Sequence, residues 1–165
     1  MKQGKKSIKL GFTLIELLLV VAIISLLSVT VFVSLNPAQR LSDSKNARRT
    51  TDVDTILNAI HQSIVDNKGV LPSALSPGMD EKQLGNGTSG CAILTGGCNV
   101  TGNTDCADLL NGTYNLSRYL KNIPVDPVGT MNASTSGYSV KVDTNGIVTV
   151  RSCAADGSQQ ISASR

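Results

Sequence analysis

The sequence predicts an α+β fold, in which one long N-terminal helix packs on a small antiparallel β-sheet. The run from Phe12 to Leu35 is almost wholly apolar and predicts a first helical segment. A second segment carries one stripe of apolar residues at helical spacing: Val53, Ile56, Leu57, Ile60 and Ile64. Near the C-terminus, apolar and polar residues alternate on both sides of an Asn145-Gly146 turn, from Tyr138 to Val150. We expect this hairpin to lay one face over the stripe.

The apolar run is long enough to cross a membrane. At about 1.5 Å per residue it extends for roughly 36 Å, whereas a hydrocarbon core is about 30 Å thick. A secretory signal peptide would have a shorter apolar region and a small-residue cleavage site, but this run ends in Ser34-Leu35-Asn36-Pro37. A lipoprotein signal would need a cysteine directly after the run, and the first cysteine is Cys91. We therefore interpret the run as a transmembrane helix, either uncleaved or trimmed at its N-terminus.

The basic character of the chain resides in its first residues. Fifteen basic residues face twelve acidic ones, and four of the fifteen precede the apolar run: Lys2, Lys5, Lys6 and Lys9. Such residues hold the N-terminus of a span in the cytoplasm, so that the rest of the chain is exported. Four basic residues also follow the span and weaken this bias: Arg40, Lys45, Arg48 and Arg49. Long domains, however, cross a membrane largely regardless of their charge. The near-neutral remainder argues against a nucleic-acid-binding surface, although a local basic patch, and nucleic acid as a partner, stay open.

One acidic residue, Glu16, lies inside the apolar run. A carboxylate costs about 2.5–3.5 kcal/mol at the centre of a bilayer and less near its edge. The span contains no basic partner. If the chain is cut after Gly11, Phe12 gains an α-amino group, and that amine on a neighbouring copy would be able to pair with Glu16 in a helix bundle. The alternative is that Glu16 lies at the level of the lipid headgroups.

The surrounding segment reads Gly11-Phe12-Thr13-Leu14-Ile15-Glu16-Leu17 and continues as an apolar helix. It resembles the class III, prepilin-type signal of type IV pilins and type II secretion pseudopilins. The resemblance implies that a membrane aspartyl peptidase cuts between Gly11 and Phe12 and methylates the new N-terminus at Phe12. It also implies that Glu16 pairs with the N-terminus of a neighbouring subunit during assembly. The absence of a side chain at Gly11 would allow the peptidase to approach the scissile bond closely.

The same resemblance implies a pilin-like fold and a structural rather than an enzymatic role. The partners would be identical or related pilin subunits in a homopolymer, the prepilin peptidase, an assembly platform in the inner membrane and, before assembly, membrane lipid. The precursor would cross the cytoplasmic membrane once, with its N-terminus inside, and the subunit would end in an extracellular filament or a periplasmic pseudopilus. A pilus subunit is the leading expectation, because a long, cysteine-containing, Thr/Asn-rich loop suits an exposed pilin. The alternatives are a pseudopilin of a type II secretion system or competence filament, and a monomeric membrane-anchored binding module.

Four regions are expected along the chain: a basic leader at 1–11, a transmembrane or filament-core helix at 12–36, an amphipathic helix half at 37–68 and a loop-rich head at 69–165. Pro37 removes a helix hydrogen bond and is expected to kink the helix; the alternative is a simple bend at the membrane surface. Asn67-Lys68-Gly69 is expected to end the helix, with Gly69 at the C′ position. His61 is expected to be solvated or to cap, rather than to bind a ligand or catalyse.

All four cysteines follow the apolar run: Cys91, Cys98, Cys106 and Cys153. An even number in a loop-rich exported domain favours two disulfides over free or partly paired thiols. Of the three possible pairings we favour Cys91–Cys98 with Cys106–Cys153. Residues 73–105 are expected to form a surface loop, and residues 106–121 one or two short helices.

The stretch from Tyr119 to Gly129 resembles the Y-L-x-x-I-P-x-D-P segment that precedes the sheet in pseudopilins and some pilins. Val128 stands where the pseudopilin segment often has tryptophan. Asp126 alone is too little to indicate a calcium site, and no metal or other cofactor is expected. The sequence shows no Ser/His/Asp set, metal-ligand spacing or phosphate loop, so no catalytic residue is assigned and an enzyme is disfavoured.

Overall fold

The structure, a computed structural model, describes residues 11–165. The expected leader residues Lys2, Lys5, Lys6 and Lys9 lie outside this range. The chain divides into two compact units between Arg40 and Leu41.

The first helix, α1, spans Leu14–Leu35 and has no buried residue. Three of its hydroxyl groups donate to carbonyl oxygens of the preceding turn, which satisfies these donors within the helix: Ser25 to Val21, Ser28 to Ile24 and Thr30 to Leu27. This helix is long and apolar enough to cross a membrane by length and composition.

The second helix, α2, spans Pro37–Asp66. A single residue, Asn36, separates it from α1 and adopts a left-handed conformation with φ 41°. The N–H of Asn36 donates to the carbonyl of Val33, which closes α1. Pro37 then occupies the first position of α2, where its missing N–H costs no helical hydrogen bond. The sequence predicted a kink at Pro37, and the interruption lies one residue before it.

The apolar stripe of α2 forms the helical side of the core of the head. Val53, Ile56, Leu57 and Ile60 are buried, and Ile64 is partly buried. The helix ends in two hydrogen bonds, from Lys68 N–H to Val65 C=O and from Gly69 N–H to Ile64 C=O. This pattern is a Schellman motif in which Lys68 (φ 58°), rather than Gly69, occupies C′. The predicted helix stop is therefore in place, but the C′ position is shifted by one residue, and Gly69 follows it with φ 90°.

The head contains a five-stranded sheet in the order β2-β1-β3-β4-β5. The strands are β1 (Lys82–Leu84), β2 (Cys106–Ala107), β3 (Tyr138–Val142), β4 (Val148–Ser152) and β5 (Ile161–Ser164). The pairs β1–β3, β3–β4 and β4–β5 are antiparallel, whereas β1–β2 is parallel. The sheet is thus mixed, while the α+β class is as predicted.

The predicted hairpin corresponds to β3 and β4, which pair from Tyr138–Ser152 to Val142–Val148. In its turn only Gly146 has a positive φ, 85°, and the Asp143 carboxylate accepts from the N–H groups of Asn145 and Ile147. Valines of both strands pack on the stripe of α2, as predicted: Val140, Val142, Val148 and Val150.

Three strands, β1, β2 and β5, were not predicted. Strand β1 lies inside the range 73–105, which was expected to be a loop. The range 106–121 was expected to form one or two short helices, but it forms β2 followed by turns. Strands β1 and β2 have only three and two residues, too few for a visible alternation, and β1 pairs with β3, which lies much later in the chain.

Candidate processing and assembly site

The start of α1 is fixed by a reciprocal pair of side chains, Thr13 and Glu16. The backbone N–H of Glu16 donates to the Thr13 hydroxyl oxygen at 3.3 Å, and the backbone N–H of Thr13 donates to Oε2 of Glu16 at 2.8 Å. The Thr13 hydroxyl also donates to Oε2 at 2.7 Å. This is a capping box, which satisfies N–H groups that the first helical turn leaves without partners.

The carboxylate of Glu16 retains an acceptor for a second partner. Both bonds from Thr13 end on Oε2, and Oε1 accepts no hydrogen bond from any residue between 11 and 165. The geometry therefore lets one oxygen hold the helix cap while the other accepts a donor from outside the chain. Sequence reasoning about Glu16 missed the role of Thr13, although the T-x-x-E spacing before an apolar run is a readable capping signal.

Gly11 and Phe12 lie before the N-cap, outside α1. Phe12 is 91% exposed. A Cβ placed on Gly11 would meet no described atom within 4 Å, and Gly11 does not have a positive φ. Since nothing in this part of the chain requires a glycine at position 11, a requirement for it would come from a binding partner.

The cysteine pairing that we favoured from the sequence is wrong. In the structure Cys91 is bonded to Cys106 and Cys98 to Cys153, each with a Cα–Cα distance of 5.4 Å. The strand order gives the physical reason, because β2 and β4 are separated by β1 and β3. Three strand spacings amount to about 14 Å, whereas a disulfide needs Cα atoms within about 7 Å. Cys106 on β2 therefore cannot reach Cys153 at the end of β4.

A buried ion pair, which the sequence did not indicate, joins α2 to the Pro124–Pro127 segment. Nε and Nη2 of Arg49 donate to the two carboxylate oxygens of Asp126 at 2.8 and 2.9 Å, and both side chains have no exposed surface. Nη1 of Arg49 donates to Asn46 Oδ1 at 2.7 Å and to Asp156 Oδ2 at 2.9 Å. The bonds to Asp126 raise the pKa of Arg49, and the bond from Arg49 lowers the pKa of Asp156.

The carboxylate of Asp126 is bonded to protein groups of this cluster. Besides Arg49, Asp126 accepts from the N–H of Val128 at 3.0 Å. Among the described residues, no group of three His, Cys, Asp or Glu side chains is arranged to hold a metal ion. The partners are 77 positions apart in sequence, so no local pattern could have revealed them.

His61 is half-buried rather than solvated. Its Nε2 atom is buried and has no hydrogen-bond partner among residues 11–165. Burial first, and then the charge of Arg165, lower the pKa of His61. These surroundings favour the neutral form of His61, and the sequence expectation of a solvated side chain needs this correction.

Comparison with known proteins identifies the N-terminal segment. Residues 6–32 match the family described as the prokaryotic N-terminal methylation motif. The matched range contains Gly11, Phe12, the capping box and most of α1. Comparisons with curated proteins and with solved structures gave no match. The chain thus carries the prepilin-type N-terminal signal that marks type IV pilins and pseudopilins.

Proposed function

We propose that this chain is a structural subunit of a type IV pilus-like filament, cut by prepilin peptidase after Gly11 and polymerised through its N-terminal helix. The observation that carries the proposal is α1, which is apolar along its length and has no buried residue. An apolar helix of this length needs lipid or other helices around it. The methylation motif at residues 6–32 supports the same role.

Four regions follow from this role. Residues 1–11 form the leader, residues 12–36 the membrane-spanning and later filament-core helix, residues 37–68 the amphipathic helix half, and residues 69–165 the exported head. The precursor spans the cytoplasmic membrane with its N-terminus inside, and membrane lipid surrounds α1 until an assembly platform in the membrane transfers the subunit to the filament. The interruption at Asn36, directly before Pro37, is part of this proposal as a point at which the helix is able to change its path.

The proposed cut creates the counter-charge that Glu16 lacks. Cleavage leaves an α-amino group on Phe12, and methylation of that amine preserves its positive charge. In a bundle of α1 helices, the amine of one copy donates to Oε1 of Glu16 in another, while Oε2 keeps its bonds to Thr13. Pairing therefore removes the cost of the intramembrane carboxylate without opening the helix cap.

N-terminal mass spectrometry of sheared surface filaments tests the processing step. The expected N-terminal peptide begins at Phe12 and carries one methyl group. A functional chain that still begins at Met1 and occurs only in membranes would instead support the monomeric membrane-anchored module.

The variant Glu16→Gln tests the pairing step, because glutamine keeps the capping box but removes the charge. Processing and membrane insertion are expected to stay normal, while incorporation into filaments falls about tenfold or more, the effect of losing at least about 1.4 kcal/mol. Asp54→Asn is the matched control, since Asp54 is exposed on α2 and also loses one negative charge. Normal incorporation of Glu16→Gln would leave Glu16 with a capping role only.

A pseudopilin of a type II secretion or competence filament is the second candidate. The motif at residues 6–32 is common to pilins and pseudopilins, and the Tyr119–Gly129 segment resembles that of pseudopilins. Immunogold labelling of intact cells separates the two: labelled surface fibres support a pilus, whereas label confined to the periplasm supports a pseudopilus.

A further inference from the structure

The two disulfides interleave along the chain, because the first cysteine is joined to the third and the second to the fourth. The bond Cys91–Cys106 spans 15 positions, and Cys98–Cys153 spans 55. The reduced chain has two shorter loops available, since Cys91 and Cys98 are seven positions apart and Cys98 and Cys106 are eight. Both short loops use Cys98, and neither occurs in the folded head.

Loop length favours these non-native bonds at the first oxidation step. The probability of closing a flexible loop falls roughly as the −3/2 power of its length, so the shortest loop closes about three times as often as Cys91–Cys106 and about 20 times as often as Cys98–Cys153. Gly96 and Gly97 lie inside the shortest loop and keep it flexible. Export would further favour the short loops over Cys98–Cys153, because Cys153 would be the last cysteine to cross the membrane.

A bond between Cys91 and Cys98 is a dead end for the fold. It leaves Cys106 and Cys153 as the remaining thiols, and the strand order keeps these two residues about three strand spacings, or about 14 Å, apart. The second disulfide then cannot form across the completed sheet. The first bond must therefore be broken before the head reaches its folded state.

We propose that the head acquires its disulfides through thiol–disulfide exchange, as the substrate of an isomerase-type dithiol protein outside the cytoplasm. The chemistry follows from the connectivity, and only the compartment rests on the proposed function. The partner's thiolate attacks Sγ of Cys98 in the Cys91–Cys98 bond, forms a mixed disulfide and releases the Cys91 thiolate. The Cys153 thiolate then attacks the same Sγ, which gives Cys98–Cys153 and returns the partner's thiolate. Cys91 and Cys106 pass two electrons and two protons to the disulfide of a separate oxidant, which becomes a dithiol.

Burial gives this exchange a direction. In the folded head, Cys91 and Cys153 have no exposed surface and Cys98 is 5% exposed. Thiolate attack requires access to sulfur, so the Cys98–Cys153 bond, whose two cysteines are both buried, is protected once the sheet has packed. The Cys91–Cys106 bond has one buried cysteine, Cys91, and one half-buried cysteine, Cys106, so its protection is partial. Bonds that prevent packing stay accessible and continue to exchange.

Oxidative refolding of the full-length chain in detergent tests the proposal. The chain is reduced in denaturant and refolded either with diamide alone or with a mixture of reduced and oxidised glutathione; thiols are alkylated at intervals and disulfide-linked peptides are identified by mass spectrometry. With diamide alone, Cys91–Cys98 and Cys98–Cys106 are expected to dominate. The glutathione mixture is expected to convert them and to raise the fraction with both native bonds about threefold or more.

Two double variants separate exchange from oxidation. Cys98→Ser/Cys153→Ser retains only the Cys91 and Cys106 thiols, and Cys91→Ser/Cys106→Ser retains only Cys98 and Cys153. Each variant should form its single bond equally well under both conditions, because with only two cysteines the chain cannot form a non-native disulfide that would have to be exchanged. The proposal is overturned if the wild-type chain forms both native bonds with diamide alone and without passing through a Cys98 short loop. Either result is read from the purified chain and leaves the filament proposal untouched.

Discussion

At Arg49, a guanidinium group lies inside the head with all three of its nitrogen atoms bonded to acceptors. A bidentate bond to Asp126 and a further bond to Asp156 satisfy the charge where water cannot. A buried pair of this kind adds little over an apolar pair of the same volume, but loss of one partner leaves an uncompensated charge. Arg49 therefore holds α2, the Pro124–Pro127 segment and the residues after Cys153 in one arrangement.

Replacement of Arg49 by methionine is expected to destabilise the head by about 3–5 kcal/mol, because Asp126 is left buried and unpaired. The double variant Arg49→Met/Asp126→Leu should recover most of that loss, since it removes both charges. Urea unfolding of the processed chain in detergent, followed by circular dichroism, measures both values. Equal losses in the single and double variants would show that packing, and not charge, governs this position.

Acid should weaken the same cluster through Asp156. The bond from Arg49 places the pKa of Asp156 in the folded head below its value in the unfolded chain. The stabilisation is then present above the ordinary aspartate pKa, near 3.8, and is lost as the pH falls below it through the lower folded pKa. Asp156→Asn is expected to be less stable than wild type at pH 7 and to lose less stability over this acid range. Thermal unfolding at a series of pH values checks the difference, and parallel curves would contradict the assignment.

At the scale of elements, the sequence indicated those parts of the fold that local patterns encode. The stripe from Val53 to Ile64 and the alternation around Asn145-Gly146 predicted α2 and the β3–β4 hairpin, because each carries its own periodicity. Strand β1 has three residues, and its partner on β3 lies more than 50 positions later, at Lys82–Val140. Such a pairing is set by tertiary contacts that no local window contains.

The candidate site divides in the same way. Gly11, Phe12 and Glu16 lie in one contiguous motif, so the sequence alone was enough to propose them. The ion pair of Arg49 and Asp126 joins distant segments, and the two prolines beside Asp126 indicate only that a regular central strand is excluded. The pairing of the cysteines depends on the strand order, so it could not be predicted from the sequence.

The two disulfides should differ in their contribution to stability. In the chain-entropy estimate, removal of a bond that closes 15 positions costs about 3 kcal/mol and one that closes 55 positions about 4 kcal/mol. Cys98→Ser/Cys153→Ser should therefore unfold at lower urea concentration than Cys91→Ser/Cys106→Ser. Equilibrium unfolding of both variants tests the order, and the reverse order would mean that strain or residual structure outweighs loop length.

At the scale of the whole molecule, the two units differ in what they bury. The main buried apolar cluster of the second unit runs from Val53 to Val150, with partly buried neighbours extending to Ala163. No residue of α1 is buried. The head therefore contains the contacts needed for its own fold, whereas α1 depends on an environment supplied from outside.

A chain that begins at Pro37 is expected to fold without detergent and to elute as a monomer in size-exclusion chromatography. Its thermal unfolding should match that of the head in the full chain, because the core is retained. The full chain should require detergent or membranes under the same conditions. Association of the shortened chain into large oligomers would locate the assembly contacts in the head instead of in α1.

The position of the capping box also determines whether the proposed cleavage after Gly11 would require α1 to unwind. The first helical hydrogen bond runs from Leu17 N–H to Thr13 C=O, and the cap uses the N–H of Thr13. A cut between Gly11 and Phe12 lies upstream of both groups, so a protease can seat the scissile bond in an extended conformation without unwinding a turn. The precursor and the mature subunit would then present the same helical end, and trimming would change only the charge and length of the chain in front of it.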